Sequence, residues 1–240
     1  MKIDRLKIAK LDCILAPPSS GNPPKVVVIL CHGYGAPGHD LVSLGMELSR
    51  SDLGTDQGLF LFPAAPLELD PTFDGRAWWM IDVGRLQYLM AIGETHQMRN
   101  VHPPELPACR RQIFEIIEWA KSKYGLPSDK IIVGGFSQGA MLMTDVALNY
   151  SEPLGGLIVW SGALICEEDW KNSAEKQAPL KIVQTHGSED MILSLEGALD
   201  LQAMLQQAGH QVHFFEFEGP HTIPMEGINL AAELIAEHCQ

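Results

Sequence analysis

Residues 131–139 read Ile-Ile-Val-Gly-Gly-Phe-Ser-Gln-Gly, an apolar run that ends in Gly135-x-Ser137-x-Gly139. A serine hydroxyl is a weak nucleophile, and to attack a carbonyl it must be exposed, held in place and served by a base. A sharp strand-to-helix turn supplies the first two. It also brings strand and helix so close that the positions two before and two after the serine have room for little side chain. The pattern is short and gains weight from its surroundings. β-Branched residues precede it, and Ala140–Asn149 continues it with apolar residues suited to a buried helix. The bland alternative is a serine in a tight turn with no chemistry. What decides is whether a base and an acid follow in the right order.

The chain has nine histidines. His221 follows the run Val212–Phe217 through Glu218-Gly219-Pro220, a loop position that suits a base. His210 and His213 border that run and His238 stands near the C-terminus, placements that do not suit catalysis. His32 is expected to pin its own loop by hydrogen bonds, and His186 is assigned no chemistry. His39, His96 and His102 share no ligand spacing with nearby carboxylates or cysteines, so no metal and no cofactor are expected. For the acid, Glu189 and Asp190 follow Ile182–Thr185, while Glu167, Glu168 and Asp169 follow the preceding run. Spacing alone leaves these open.

The elements that must carry these residues are short β-branched runs alternating with helical patterns. Strands are expected at Val26–Cys31, Leu59–Phe62, Ile131–Gly134, Leu157–Trp160, Ile182–Thr185 and Val212–Phe217. Helices are expected at Leu41–Arg50, Arg110–Tyr124, Gln138–Asn149, Leu195–Ala208 and Met225–Cys239. Several strands are apolar throughout, as when helices cover both faces of a mostly parallel sheet. The stretch before Pro17-Pro18 is expected to add antiparallel edge strands. Ligands of such sheets sit beyond the carboxyl ends of the strands. Those ends carry, in order, the glycine-rich His32-Gly33-Tyr34-Gly35, then Ser137, then carboxylates, then His221. The order serine, acid, histidine is the one that this sheet architecture imposes.

On these residues the chain resembles the phospholipase/carboxylesterase family of α/β-hydrolases, which includes the acyl-protein thioesterases. The shared features are His32-Gly33, Gly-Phe-Ser137-Gln-Gly, Trp160-Ser161-Gly162, His186-Gly187-x-x-Asp190, and His221 with Pro224 behind it. The resemblance runs from about Lys25 to the C-terminus. It implies an α/β-hydrolase fold, selects Asp190 as the acid, and favours esters or thioesters over peptides. Two departures concern the acyl site. Met80-Ile81 follow Trp78-Trp79 where the family usually has an aspartate, and Gly84–Pro107 matches poorly.

Attack on an ester carbonyl places charge on its oxygen, which two preorganised backbone N–H groups can stabilise. Gln138, at the start of the helix after the nucleophile, and Tyr34, in the glycine-rich loop, are expected to supply them. A phosphate cradle is discounted, because the loop lacks both G-x-G-x-x-G and a G-K-[ST] lysine. From Pro63 to Cys109 no clear strand appears, although Gly84–Ile92 suits a short helix. A connection of that length usually serves function, as a lid or pocket wall. Trp79 is expected to line the acyl pocket, with Met80 and the Leu86/Met90 pair adding apolar surface and Trp78 beside it as the core anchor; the alternative is that these side chains only pack the segment onto the sheet.

The composition sets the outer bounds. A chain of 240 residues is long enough for one α/β domain spanning 1–240, with 63–109 as an elaborated connection. A net charge of −13 argues against nucleic acid and anionic lipid as partners. Five scattered cysteines without Cys-x-x-Cys spacing suit reduced thiols. The N-terminus lacks a signal peptide's apolar stretch, and no run is long enough for stable membrane insertion. The expectation is a cytoplasmic serine hydrolase acting on a small-molecule or lipid acyl ester. Its rivals are a hydrolase-fold receptor that binds an apolar ligand without turnover, and a serine peptidase.

Overall fold

Runs that are apolar throughout predict strands buried on both faces, and a computed structural model, which describes residues 3–70 and 74–240, places the central ones so. The strands are β1 (Asp4–Ile8), β2 (Leu11–Ala16), β3 (Val26–Cys31), β4 (Gly58–Pro63), β5 (Leu67–Asp70), β6 (Gly75–Ala77), β7 (Ile131–Phe136), β8 (Gly156–Trp160), β9 (Lys181–Gly187) and β10 (Gln211–Phe217). The helices are α1 (Val42–Leu48), α2 (Val83–Ala91), α3 (Leu106–Tyr124), α4 (Gln138–Asn149), α5 (Glu167–Ala174), α6 (Leu195–Gln207) and α7 (Met225–Cys239). Eight strands form one sheet in the order β1-β2-β4-β3-β7-β8-β9-β10. From β4 to β10 every pairing is parallel, whereas β2 runs antiparallel to β4 and β1 antiparallel to β2. This is the α/β-hydrolase fold, and the N-terminal edge strands expected before Pro17 are present.

The period of two along each strand divides the core into two layers. Val27, Ile29, Leu61, Val133, Val159 and Ile182 face one side, packed against apolar residues of α3, α4, α5 and α6. Val28, Leu30, Phe60, Ile132, Ile158 and Val183 face the other, packed against α1 and α7. Both faces are therefore dry, and chemistry is confined to the loops at the strand ends.

Departures from the expected elements have local causes. The 63–109 connection contains strands after all: β5 and β6 form a two-stranded antiparallel ribbon. Both are short, carry charged residues and lack an apolar period; residues 71–73, within the same connection, lie outside the described residues. Helix α5 was not expected, because only Trp170 and Ala174 of its eight residues are buried. Helix α3 begins at Leu106, four residues before the expected start, with Pro107 in its first turn. There the missing N–H costs nothing, since first-turn donors have no intrahelical partner.

A buried carboxylate ties three of the helices together. Asp145 on α4 accepts from Trp170 Nε1 at 3.0 Å and pairs with Arg110 Nη1 of α3 at 3.2 Å. Burial is the larger influence and raises Asp145 to about 6, with Arg110 and the indole N–H pulling the other way. An acid whose folded pKa lies above the unfolded value of 3.8 contributes stability that is lost as pH rises. Between about pH 4 and pH 6 this one group should cost the fold a few kcal/mol, at roughly 1.4 kcal/mol for each pH unit crossed. Asp145→Asn, which does not titrate, should lack that fall. Urea unfolding of both proteins across this window checks it, and parallel stability curves would show the carboxylate to be unperturbed.

Candidate active site

The turn at Ser137 is built as its glycines require. Ser137 follows β7 with φ 55° and ψ −118°, outside the ordinary basins of a side-chain-bearing residue. A Cβ on Gly135 would stand 2.4 Å from Cys31 O, and one on Gly139 would stand 2.1 Å from the same oxygen. Any other residue at either position would force β3 away from α4. The Ser137 N–H donates to Trp160 O at 2.9 Å, which anchors the turn to β8.

At the end of β9, Asp190 is buried and its oxygens are divided between two tasks. Oδ1 accepts from the Ile192 and Leu193 N–H groups at 2.8 and 2.9 Å, and Oδ2 meets His221 Nδ1 at 2.6 Å. Burial opposes its charge, but the His221 bond and the two backbone donors prevail and hold Asp190 below the ordinary carboxylate range. His186 Nε2–H donates to Leu193 O at 2.9 Å and lies 3.3 Å from the same Asp190 oxygen. Its burial favours the neutral ring. The other carboxylates stand elsewhere. Glu189 is exposed, Glu167 pairs with Arg99 and Lys171, and Asp169 pairs with His102.

With Nδ1 committed to Asp190, His221 has Nε2 as its remaining nitrogen. Its ring packs on Phe136, the residue before Ser137, with centroids 4.7 Å apart. His221 and Ser137 both line a cavity of about 340 Å³ at the carboxyl ends of the central strands. Phe136, Met141, Leu193, Ile81, Val83 and Leu86 make most of its wall apolar, and Tyr34, Asp40 and Gln87 add polar groups. Wider clefts lie along both sheet edges, but they contain none of Ser137, Asp190 and His221.

Two backbone donors near Ser137 are without partners among the described residues. Among the described residues, neither the Tyr34 nor the Gln138 N–H has a protein acceptor, and Gln138 opens α4, where the helix field favours negative charge. The loop bearing Tyr34 is pinned by His32, which accepts the Ala65 N–H on Nε2 at 3.1 Å and donates from Nδ1 to Gly33 O at 2.8 Å. Burial lowers its pKa and keeps it neutral, as that bonding requires.

Trp79 and Met80 lie elsewhere than expected. Trp78 and Trp79 are buried in the core and Met80 is exposed, and none of the three lines the cavity. The cause is the Gln138 side chain. Its Oε1 accepts the Trp78 N–H at 2.9 Å and its Nε2 donates to Trp79 O at 2.8 Å, while Trp78 Nε1–H donates to His32 O at 3.0 Å. This captured backbone sends both indoles inward and leaves the wall to Ile81, Val83 and Leu86. The Met90 side chain lies outside the described residues. The Gln138 clamp spans 60 residues of sequence and left no local signal. The Phe136 contact could have been suspected from its place beside Ser137. Among the described residues no group of three His, Cys, Asp or Glu side chains is arranged to hold a metal ion, and no helix is long and apolar enough to cross a membrane.

A model of the phospholipase/carboxylesterase family matches residues 16–239. Acyl-protein thioesterase 1 of Candida albicans is 26% identical over 210 residues, covering 84% of this chain and 87% of its own. Acyl-protein thioesterase 1 homolog 1 of Dictyostelium discoideum is 28% identical over 218 residues, covering 88% and 89%. Among solved structures, the esterase PE8 superposes with a TM-score of 0.77 at 24% identity over 99% of each chain, a likeness of fold.

Proposed function

The chain belongs to the phospholipase/carboxylesterase family of α/β-hydrolases, and from that premise we propose that it cleaves carboxylic esters or thioesters through an acyl-enzyme on Ser137. His221 Nε2 takes the hydroxyl proton as Ser137 attacks the acyl carbon. The oxygen that gains charge is met by the Tyr34 and Gln138 N–H groups. Collapse expels the alcohol or thiol, which receives the proton from His221. A water then repeats the sequence on the acyl-enzyme, returning the acid and free Ser137. Asp190 fixes the tautomer that presents Nε2 and stabilises the imidazolium in both halves. One observation carries the reading: the 2.6 Å Asp190–His221 bond stands at the cavity that also holds Ser137. The names of the thioesterase relatives support acylated thiols as substrates beside oxygen esters. Five free, buried cysteines suit a reducing compartment such as the cytoplasm.

The apolar wall predicts a preference that a graded series of acyl esters measures. Each methylene that enters the cavity should contribute up to ~0.8 kcal/mol, roughly fourfold in kcat/KM, until the space is full. Leu86→Ala should move that plateau to longer chains and leave acetyl ester turnover nearly unchanged. Binding of the series without hydrolysis would favour the receptor reading, and turnover of amides but not esters would favour a peptidase. A chain-length profile identical in the two proteins would place the acyl group elsewhere.

A further inference from the structure

Two side-chain-bearing residues adopt left-handed backbone at the ends of adjacent central strands: Ser137 at φ 55° and Ser161, just after β8, at φ 50°. Such conformations persist where the surroundings over-determine them, and they concentrate at functional sites. The turn geometry accounts for Ser137. Ser161 is fully buried, does not line the cavity and has no part in the chemistry proposed above.

Its contacts nevertheless join both halves of the site. The carbonyl just before it, Trp160 O, holds the Ser137 N–H at 2.9 Å. Its own hydroxyl donates to Thr222 O at 3.0 Å, on the residue that follows His221. Its N–H donates to Thr185 O of β9 at 2.9 Å, and Trp160 Nε1–H donates to Gly227 O at the start of α7 at 3.1 Å. A single two-residue corner thus holds the nucleophile turn on one side and the histidine loop on the other.

We propose that Ser161 is a positioning residue that sets the His221 imidazole against Ser137, an inference that rests on the triad reading. The histidine loop is already tied to the acid loop. Ser188 N–H donates to Phe217 O at 2.8 Å, Glu189 N–H donates to Gly219 O at 3.0 Å, and Asp190 holds His221 directly. Those bonds fix the imidazole relative to its carboxylate, and none reaches the nucleophile. On the nucleophile side, Phe136 offers a ring contact with little directional preference. The Ser161 hydroxyl supplies a directed bond. Without it His221 keeps Asp190 and drifts relative to Ser137, and a displacement near 1 Å can cost about 100-fold in rate.

The backbone strain provides the test, because it separates a positioning role from a merely stabilising one. Ser161→Gly deletes the hydroxyl and relieves the left-handed conformation, whereas Ser161→Ala deletes the hydroxyl and keeps it. The Gly variant should therefore melt at or above the Ala variant, yet both should lose about 10- to 100-fold in kcat with KM little changed. Their labelling by a fluorophosphonate should slow by the same factor. Wild-type kcat in Ser161→Gly, with Ser137 still labelled, would overturn the proposal and leave the triad intact. So would activity that tracks melting temperature, with the Ala variant far slower than the Gly variant. Wild-type protein that turns over esters without taking label at Ser137 would overturn the triad reading, and this inference with it.

Discussion

Ser137→Ala is expected to abolish ester and thioester hydrolysis, with a fall on the order of 10⁶-fold in kcat, the scale reached when a triad enzyme loses its nucleophile. The loss is chemical and should leave the fold alone. Alanine keeps the Cβ that Ser137 already carries at φ 55°, and the Ser137 N–H to Trp160 O bond involves only backbone. Melting temperature should therefore stay near wild type, and apolar ligands should still enter the cavity. What remains would be the catalysis that the anion site and binding supply without a nucleophile. A variant that keeps even a tenth of the wild-type rate would mean that another group attacks the substrate.

Asp190→Asn is the second large effect, about 10⁴-fold, for a different reason. The carboxylate accepts three hydrogen bonds, two on Oδ1 from backbone donors and one on Oδ2 from His221. An asparagine can satisfy the backbone pair with its one oxygen, which leaves its NH₂ facing His221 Nδ1. The imidazole must then accept at Nδ1 and carry its proton on Nε2, the nitrogen needed as base. Geometry survives and the tautomer is wrong. Because Asp190 is held below its ordinary range, its share of stability is present above the unfolded pKa near 3.8 and lost as pH falls below that value. Glu189→Gln, on an exposed side chain one residue away, should change the rate little. If the Glu189 change were the crippling one, the acid would be misassigned.

The sheet was legible because its central strands are apolar on both faces, so Val26–Cys31 and Ile131–Gly134 could be read without an alternating pattern. The loops that follow them were legible by consequence, since a parallel sheet puts ligands at one end. What local pattern could not carry was sidedness and long-range capture. Spacing left five carboxylates as candidates for the acid, and the distinction depends on which one turns inward at the end of β9. Trp79 reads as a pocket residue because its Trp-Trp-Met cluster offers apolar surface in a long connection. The direction of both indoles is set by an amide about 60 residues away. Helix α5 escaped notice because two buried residues in two turns make no stripe, and the β5–β6 ribbon because its strands are short and charged.

In the proposed reaction one serine forms the covalent intermediate, and covalent labelling can locate it. The protein is incubated with a fluorophosphonate, residual esterase activity is followed, and the adduct is located by peptide mass spectrometry. The expected result is one equivalent of phosphonate on Ser137, acquired in step with the loss of activity, and no adduct in Ser137→Ala. Full inactivation with the adduct on another residue, or undiminished ester turnover by protein fully labelled at Ser137, would contradict it.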